Sequence, residues 1–382
     1  MSFYALQAPT EWAAPPTTWS STSLDEIEAC PRRWQLLHSQ WANYKRFPTR
    51  PNPAAVEGTI VHDALDRLTR ACGQRGNPPF GTAEFAAALA EADFYPGFNR
   101  AVAEWQSTLD AHPRPGPAFR LRARPEDLAN RAVRMFREQY KPGTPDNNRA
   151  AAAVESAAEE VDLGKLLRRK GALSECTLIH PTLPFLGKLD RVQLASDGVE
   201  IVDYKTGRAN EKHRRQLLRY ALLWWRVTGE RPVRISAQYL EGADTWPVGQ
   251  NELEAVEQDL SLKISSFLEA LTSKPANAVP GSNCVRCPVR ARCSSGWVAG
   301  EEAAQTNDRG DAELLLIEAP GEHGFLARGR GGASVAVVYE AQIAKLLPPL
   351  AAEKVVRVLD GEWAEKRSQL ELKAWSEVYV LE

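Results

Sequence analysis

Long apolar runs are missing from this chain of 382 residues. Even a run as long as any in the chain, YALLWW at 220–225, is far too short to span a bilayer. The first residues, MSFYALQAPTEWAAPPTTW, lack a basic stretch leading into an apolar core, so no secretory leader is read there and a cytoplasmic protein is expected. Cysteine is scarce. Six in a chain this long do not make a disulfide framework, and in a reducing compartment clustered cysteines more often hold a metal. No G-x-x-x-x-G-K-S/T occurs, which excludes a P-loop motor, and no internal repeat is seen. Neither charge sign dominates, with 47 basic and 49 acidic side chains. What remains, 43% hydrophobic and 25% charged, is a soluble globular composition long enough for two domains.

The charge is unevenly spread. Residues 300–382 hold 9 Lys and Arg against 15 Asp and Glu, which leaves 38 and 34 for residues 1–299. A phosphate-binding surface is therefore expected in the first part. Residues 1–20, rich in Pro and Thr, read as a loosely held tail. SSTSLDEIEACPRRWQLLHSQW (20–41) reads as a helix capped by Ser23, with Glu26 as the matching acid and Pro31 dividing it. VEGTIVHDALDRLTRAC (56–72) is an amphipathic helix, residues 73–148 read as a helical insertion, and 149–170 continue helical. Three strands follow, at 173–179, 185–194 and 199–205, with SDG turning between the last two. Next come a helix closed by Gly229, a strand at 232–240, a helix at 252–273 and a loop at 281–293. Beyond about residue 305, five short strands (312–319, 324–330, 333–339, 355–364, 370–381) and a helix at 340–347 predict a small β-barrel of oligonucleotide/oligosaccharide-binding (OB) type.

Charge at the ends of the hairpin strands is what a hairpin does not need. Asp190 and Asp203 are expected side by side at the ends of adjacent strands, with Asp203 and Lys205 on one face and Tyr204 on the other. Facing carboxylates repel unless a cation lies between them, and hard oxygen donors favour Mg²⁺ or Mn²⁺. Lys205 is then placed to orient or help deprotonate a water, or to counter developing charge. Alone, D-x-K is a weak signal that also fits a surface ion pair. Gly58 and His62 share a helix face at i, i+4, as do Gln216 and Tyr220, and Gly187 precedes Asp190 by three. Singly, His62 fits a satisfied helix histidine and Tyr220 a core residue.

GTIVH, GKLDR, IVDYKTG and QLLRYALLW, in that order, resemble the RecB-type branch of the PD-(D/E)XK nuclease superfamily, over about residues 21–299. The resemblance implies an α/β PD-(D/E)XK core and metal-dependent cleavage of phosphodiesters. It makes Asp190 and Asp203 metal-binding carboxylates, the Tyr204 carbonyl a further ligand and Lys205 the catalytic lysine. His62 becomes the motif-one histidine, with Gln216 and Tyr220 positioning the lysine and the DNA. Asp203 stands where many members carry Glu, although Asp is common in this branch.

Cys284, Cys287 and Cys293 are one thiolate short of a closed tetrahedral site. Cys72 and Cys176 read as buried small hydrophobes, while Cys30, before Pro31, sits at a helix break that suits an exposed thiolate. An early Cys-Pro followed by C-x2-C-x5-C resembles the iron–sulfur nucleases, such as AddB, exonuclease V and the CRISPR adaptation nucleases. That implies a 4Fe–4S cluster on Cys30, Cys284, Cys287 and Cys293. By residue chemistry alone, zinc suits four cysteines equally.

The combined expectation is a DNA exonuclease that threads single strands or single-stranded ends in repair, recombination or defence, with a helicase or other repair or defence protein as partner. The alternative is a nuclease-like binding subunit of a helicase–nuclease or adaptation complex. In the barrel, Phe325, Tyr339, Trp363, Trp375 and Tyr379 serve equally as base-stacking platforms or as core.

Overall fold

The computed structural model describes residues 3–50, 52–112, 114, 124–140, 142, 162–205, 207–239, 242–304, 309–345, 347–348, 350–364 and 367–381. A short 3₁₀ turn, Phe3–Ala5, precedes α1 (Ser21–Ala29) and α2 (Pro31–His38). The break between these helices falls at Cys30, which ends one and begins the other in extended backbone. Pro31 sits at the first position of α2, where its missing N–H costs nothing. The N-cap of α1 is Ser20 rather than Ser23. The two serines exchange hydrogen bonds in a capping box, and Glu26 instead meets His38 at 3.4 Å.

α3 (Pro53–Gln74) packs with α4 (Ala83–Glu91), α5 (Phe94–Asp110) and α6 (Pro125–Gln139) around Phe85, Phe94, Phe98, Met135 and Phe136. α4, α5 and α6 occupy much of the stretch 73–148, which was read as helical. Its parts at 113, 115–123, 141 and 143–148, and the helical reading of 149–161, lie outside the described residues. α7 (Leu163–Lys170) leads into β1 (Ala172–Ile179), β2 (Leu186–Ala195) and β3 (Gly198–Lys205). α8 (Glu211–Thr228) crosses to β4 (Arg234–Tyr239), which runs parallel to β3, and β5 (Ala243–Pro247) closes the sheet in the order β1-β2-β3-β4-β5. The β5 strand, ADTWP, carries no hydrophobic alternation and was not expected. α9 (Gln250–Ala270) follows. The cysteine-bearing stretch, read as a loop, contains two 3₁₀ turns (Ser282–Arg286 and Arg290–Arg292) and leads into α10 (Ser294–Ala304).

Period-two alternation divides β3 between two cores. Val199 and Ile201 pack with Leu217, Ala221 and Leu222 of α8, whereas Val202 and Tyr204 pack with α3. Gly187 on β2 lets α8 approach. A Cβ there would lie 2.6 Å from Leu223 Cδ1 and 2.8 Å from Tyr220 Cε1. Gly187→Ala is therefore expected to cost about 1–3 kcal/mol through overpacking, measured by urea unfolding, and to displace Tyr220.

β6 (Arg309–Leu316), β7 (Gly324–Gly329), β8 (Ser334–Val338), β9 (Val355–Ala364) and β10 (Gln369–Glu371) form a closed five-stranded barrel, ordered β6-β7-β8-β10-β9 and back to β6. α11 (Ala341–Ala344) lies between β8 and β9, and β11 (Glu377–Val380) adds to β9. The single strand expected at 370–381 is thus two, broken by a turn near Trp375. Phe325 and Tyr339 are buried in the barrel core, so for these two the core reading holds and the stacking reading falls; Tyr379 is buried too, but in a cluster outside that core. Trp363 packs partly against the same core.

The expected loose tail is also overturned. Trp19 is buried and pairs across to Phe185, with Leu186 N–H donating to the Trp19 carbonyl at 2.8 Å. Tyr4 and Leu6 pack with Leu37, Trp41, Cys287, Cys293, Trp297, Leu359 and Tyr379 in one cluster that joins the N-terminus, the cysteine stretch and the barrel. Proline and threonine content could not reveal this, because scattered aromatics anchor the segment through distant partners. A buried ion network reinforces the joint. Arg114 forks onto Glu377 at 2.7 Å, Arg50 reaches Glu377 and Asp360, and Arg290 reaches Asp311 and Asp360. Among the described residues no helix is long and apolar enough to cross a membrane.

Candidate active site

The site lies where the β2–β3 ladder ends. The last pair is Arg191–Val202, and Asp190 stands in the middle of β2 rather than at its end. Beyond that pair β3 stays with β4, and the Tyr204 N–H donates to Asp190 Oδ2 at 2.8 Å. Asp190 also meets His62 Nδ1, from α3, at 3.2 Å. On the α8 side, Lys205 Nζ lies 2.5 Å from Asp203 Oδ2 and donates to Gln216 Oε1 at 2.9 Å. Gln216 Nε2 in turn donates to the Tyr220 hydroxyl at 2.7 Å. Gln216 and Tyr220 sit one helical turn apart on α8, whose start is capped by Asn210 and whose end is closed by Gly229 in the left-handed region. All six side chains singled out for catalysis are therefore linked in two contacting sets, His62–Asp190 and Asp203–Lys205–Gln216–Tyr220. The Tyr204 ring packs in the α3-side core, which leaves its backbone at the site.

The electrostatics are those of a recessed acid pair. Asp203 is 3% exposed and Asp190 13% at the side chain. Burial, with Asp190 nearby, pushes Asp203 up to about 7 against the pull of Lys205. Burial also opposes ionisation of Asp190, but His62 and the Tyr204 N–H hold that carboxyl below its ordinary value. For His62, burial would lower the pKa, yet Asp190 and then Asp203 lift it to about 9. Burial, followed by the charges of Asp203 and Asp190, raises the Tyr220 hydroxyl, which stays protonated.

One residue was not expected. Glu175, in β1, adopts φ 53°, a rare conformation for a side-chain-bearing residue in a strand. His62, Glu175 and Asp190 each offer one ligand atom, all within 4.8 Å of one another. No motif marks Glu175; only the pairing of β1 against β2 brings it beside Asp190. Asp203 Oδ2 is buried and accepts no hydrogen bond of good geometry, its close partner being the Lys205 ammonium. Carboxylates, one imidazole and an under-satisfied buried oxygen fit a hard divalent cation.

The model of the PD-(D/E)XK nuclease superfamily matches residues 18–294. The chain belongs to that superfamily. Membership implies a metal-dependent nuclease, and the acidic site described above has the donors such an enzyme needs. No curated protein matches the chain.

A second cluster of candidate ligands is formed by cysteines. Cys30, Cys284, Cys287 and Cys293 line one cavity, together with Arg33, Val289 and Gly296. Backbone N–H groups point at the sulfurs: Arg33 and Val279 donate to Cys30 Sγ, and Gly296 to Cys293 Sγ, each at 3.4 Å. Burial pushes Cys287 up to about 11 in the absence of a cation, with Cys293 and Cys284 adding to the rise. Cys72 is buried in α3 and Cys176 lies in β1, both apart from this cavity.

Proposed function

We propose that the chain is a divalent-metal-dependent DNA exonuclease of the RecB type, acting on single strands or single-stranded ends. The observation that carries this reading is Lys205. Its ammonium is held by Asp203 and Gln216 beside Asp190 and His62, an arrangement a binding-only subunit has no need of. Asp190, Asp203, His62 and the Tyr204 carbonyl would hold Mg²⁺ or Mn²⁺, with Glu175 as an additional carboxylate. When bound, such an ion makes water a better nucleophile and neutralises phosphoryl charge. The chain's own part follows from its hydrogen bonds. Tyr220 holds Gln216, Gln216 holds Lys205, and Lys205 orients the attacking water or offsets charge as the phosphodiester opens. The recessed acids favour a strand that can bend inward over a stiff duplex, and this supports single-strand threading.

The barrel is read as OB type, because its third and fifth strands pair in parallel and a helix stands between its third and fourth. The cysteine centre is read as a 4Fe–4S cluster on Cys30, Cys284, Cys287 and Cys293. All four cysteines border one cavity, which supports a single centre held by them. Visible absorption with iron and sulfide analysis of the purified protein separates cluster from zinc.

The activity is tested with 5′- and 3′-labelled single strands, duplexes and circular single strands in Mg²⁺ or Mn²⁺. Metal-dependent shortening of linear single strands, with circles left intact, is expected. Cut circles would remove the exonuclease reading, and no cleavage of any substrate would remove the enzyme reading.

A further inference from the structure

A cleft of about 230 Å³ opens beside the nuclease site, lined by Ser21, Thr22, Asp25, Glu26, Ala29, Arg33, Lys212 and Gln216. It reaches the catalytic centre through Gln216, whose carbonyl oxygen holds Lys205. Its two acids are engaged, Asp25 by Arg219 at 3.0 Å and Glu26 by His38 at 3.4 Å. Its two long cations are not: among the described residues neither Lys212 nor Arg33 meets a carboxylate, and Arg33 Nε is buried with no hydrogen-bond partner. The first two residues of the nine-residue α1, Ser21 and Thr22, also line it and bring the positive end of a helix to the cleft. Ser21 is 5% exposed and its hydroxyl has no partner. Unpaired cations, a helix N-terminus and an unsatisfied hydroxyl around one concavity are the chemistry of an anion site.

We propose that this cleft binds a backbone phosphate of the substrate strand, next to the phosphodiester that Lys205 addresses, with Lys212 and Arg33 as its ligands. The inference rests on the nuclease reading for the identity of the anion. Cys30 places Arg33 in the cleft. Its sulfur accepts the Arg33 N–H at the start of α2, and Arg33 lines both this cleft and the cysteine cavity. The phosphate of a neighbouring nucleotide is the anion a strand necessarily brings to this distance from the cut. Holding it would fix the register of the strand over the acids without reading a base.

The test uses the full chain and a fluorescein-labelled oligothymidylate in EDTA, so that binding is read without cleavage. Lys212→Ala and Arg33→Ala are each expected to bind several-fold more weakly. The double variant should flatten the slope of log Kd against log salt by about 0.7, one single-strand phosphate contact, and each single variant by less, because either cation alone still partly neutralises the one phosphate both serve. Arg33→Lys should retain most of the slope, and Lys165→Ala, on the exposed face of α7, should change nothing. In Mg²⁺, a single methylphosphonate linkage walked along the strand should slow wild-type cleavage at one position beyond the scissile bond, and Lys212→Glu should erase that position. Unchanged affinity and slope in both alanine variants would overturn the proposal and leave the nuclease reading standing. A wild type that binds strands through these residues but cuts none would do the reverse. A wild type that binds no strand overturns both.

Discussion

Asp203→Asn is expected to cut metal-dependent cleavage on the order of 10³-fold and, in the same preparation, to raise the melting temperature of the metal-free protein by a few degrees. Both effects have one cause. Asp203 is buried beside Asp190, and its pKa stands at about 7 in the folded chain. An unfolded Asp titrates near 3.9, so between those values the native state binds the extra proton and stability falls as pH rises. The cost is complete above about pH 7. Asparagine cannot ionise and does not incur it. His62 adds to the same trend. Its folded pKa of about 9 exceeds the unfolded value, so its stabilising pair with Asp190 is intact below about pH 6.5 and is lost as pH rises through 9. Metal-free wild type should therefore melt lower at pH 8 than at pH 6, and Asp203→Asn should flatten that dependence. Adding Mg²⁺ or Mn²⁺ should raise the wild-type melting temperature most at the higher pH, where the ligands are deprotonated, and should do little for the variant. Calorimetric melts at both pH values, with and without metal, check this. A variant that melts below wild type in EDTA at pH 8 would mean that Asp203 is a structural partner of Lys205 rather than an acid held against its own electrostatics.

Cys284→Ser is expected to abolish visible absorption and to destabilise the whole chain, not one loop. Cys30 and Cys284 stand about 250 residues apart, and a cross-link closing a loop of that length is worth on the order of 5 kcal/mol in chain entropy. Packing compounds the loss. Cys287 and Cys293 belong to the cluster of Tyr4, Leu6, Trp41, Trp297, Leu359 and Tyr379, so a centre held by them would also secure the N-terminal segment and the barrel. The neighbouring ion network would suffer too. Arg290 lies between Cys287 and Cys293 and bonds Asp311 and Asp360, and Arg292 bonds the carbonyls of Tyr4 and Val380. Limited proteolysis should release the barrel from the variant, its melting temperature should drop by more than ten degrees, and anaerobic chelation of wild-type metal should reproduce both changes. A colourless Cys284→Ser protein with wild-type melting and protease resistance would show that the cysteines do not carry this joint.

Spacing placed the residues of the site but did not give their roles. Asp190, Asp203 and Lys205 flank a marked turn, and Gly58–His62 and Gln216–Tyr220 share helix faces by i, i+4 spacing, because strand and helix periods are properties of the local backbone; that they belong together came from the resemblance to the nuclease superfamily. The barrel strands were legible for the same reason, apart from the last, which a turn near Trp375 divides. Three features belong to the tertiary structure. Glu175 enters the site because β1 pairs with β2 and its own φ turns positive, and neither leaves a trace in local pattern. The N-terminal segment is anchored by Tyr4, Leu6 and Trp19 against residues more than 150 positions away, so a composition that looks loose is held by long-range burial. Asp190 and Asp203 are not cross-strand partners, because the β2–β3 ladder stops at Arg191–Val202, where β3 goes on with β4 alone. Which residue types meet at the site was written in the order of the chain. How deeply they are buried, and therefore which of them holds its proton, was decided by two cores closing on opposite faces of one strand.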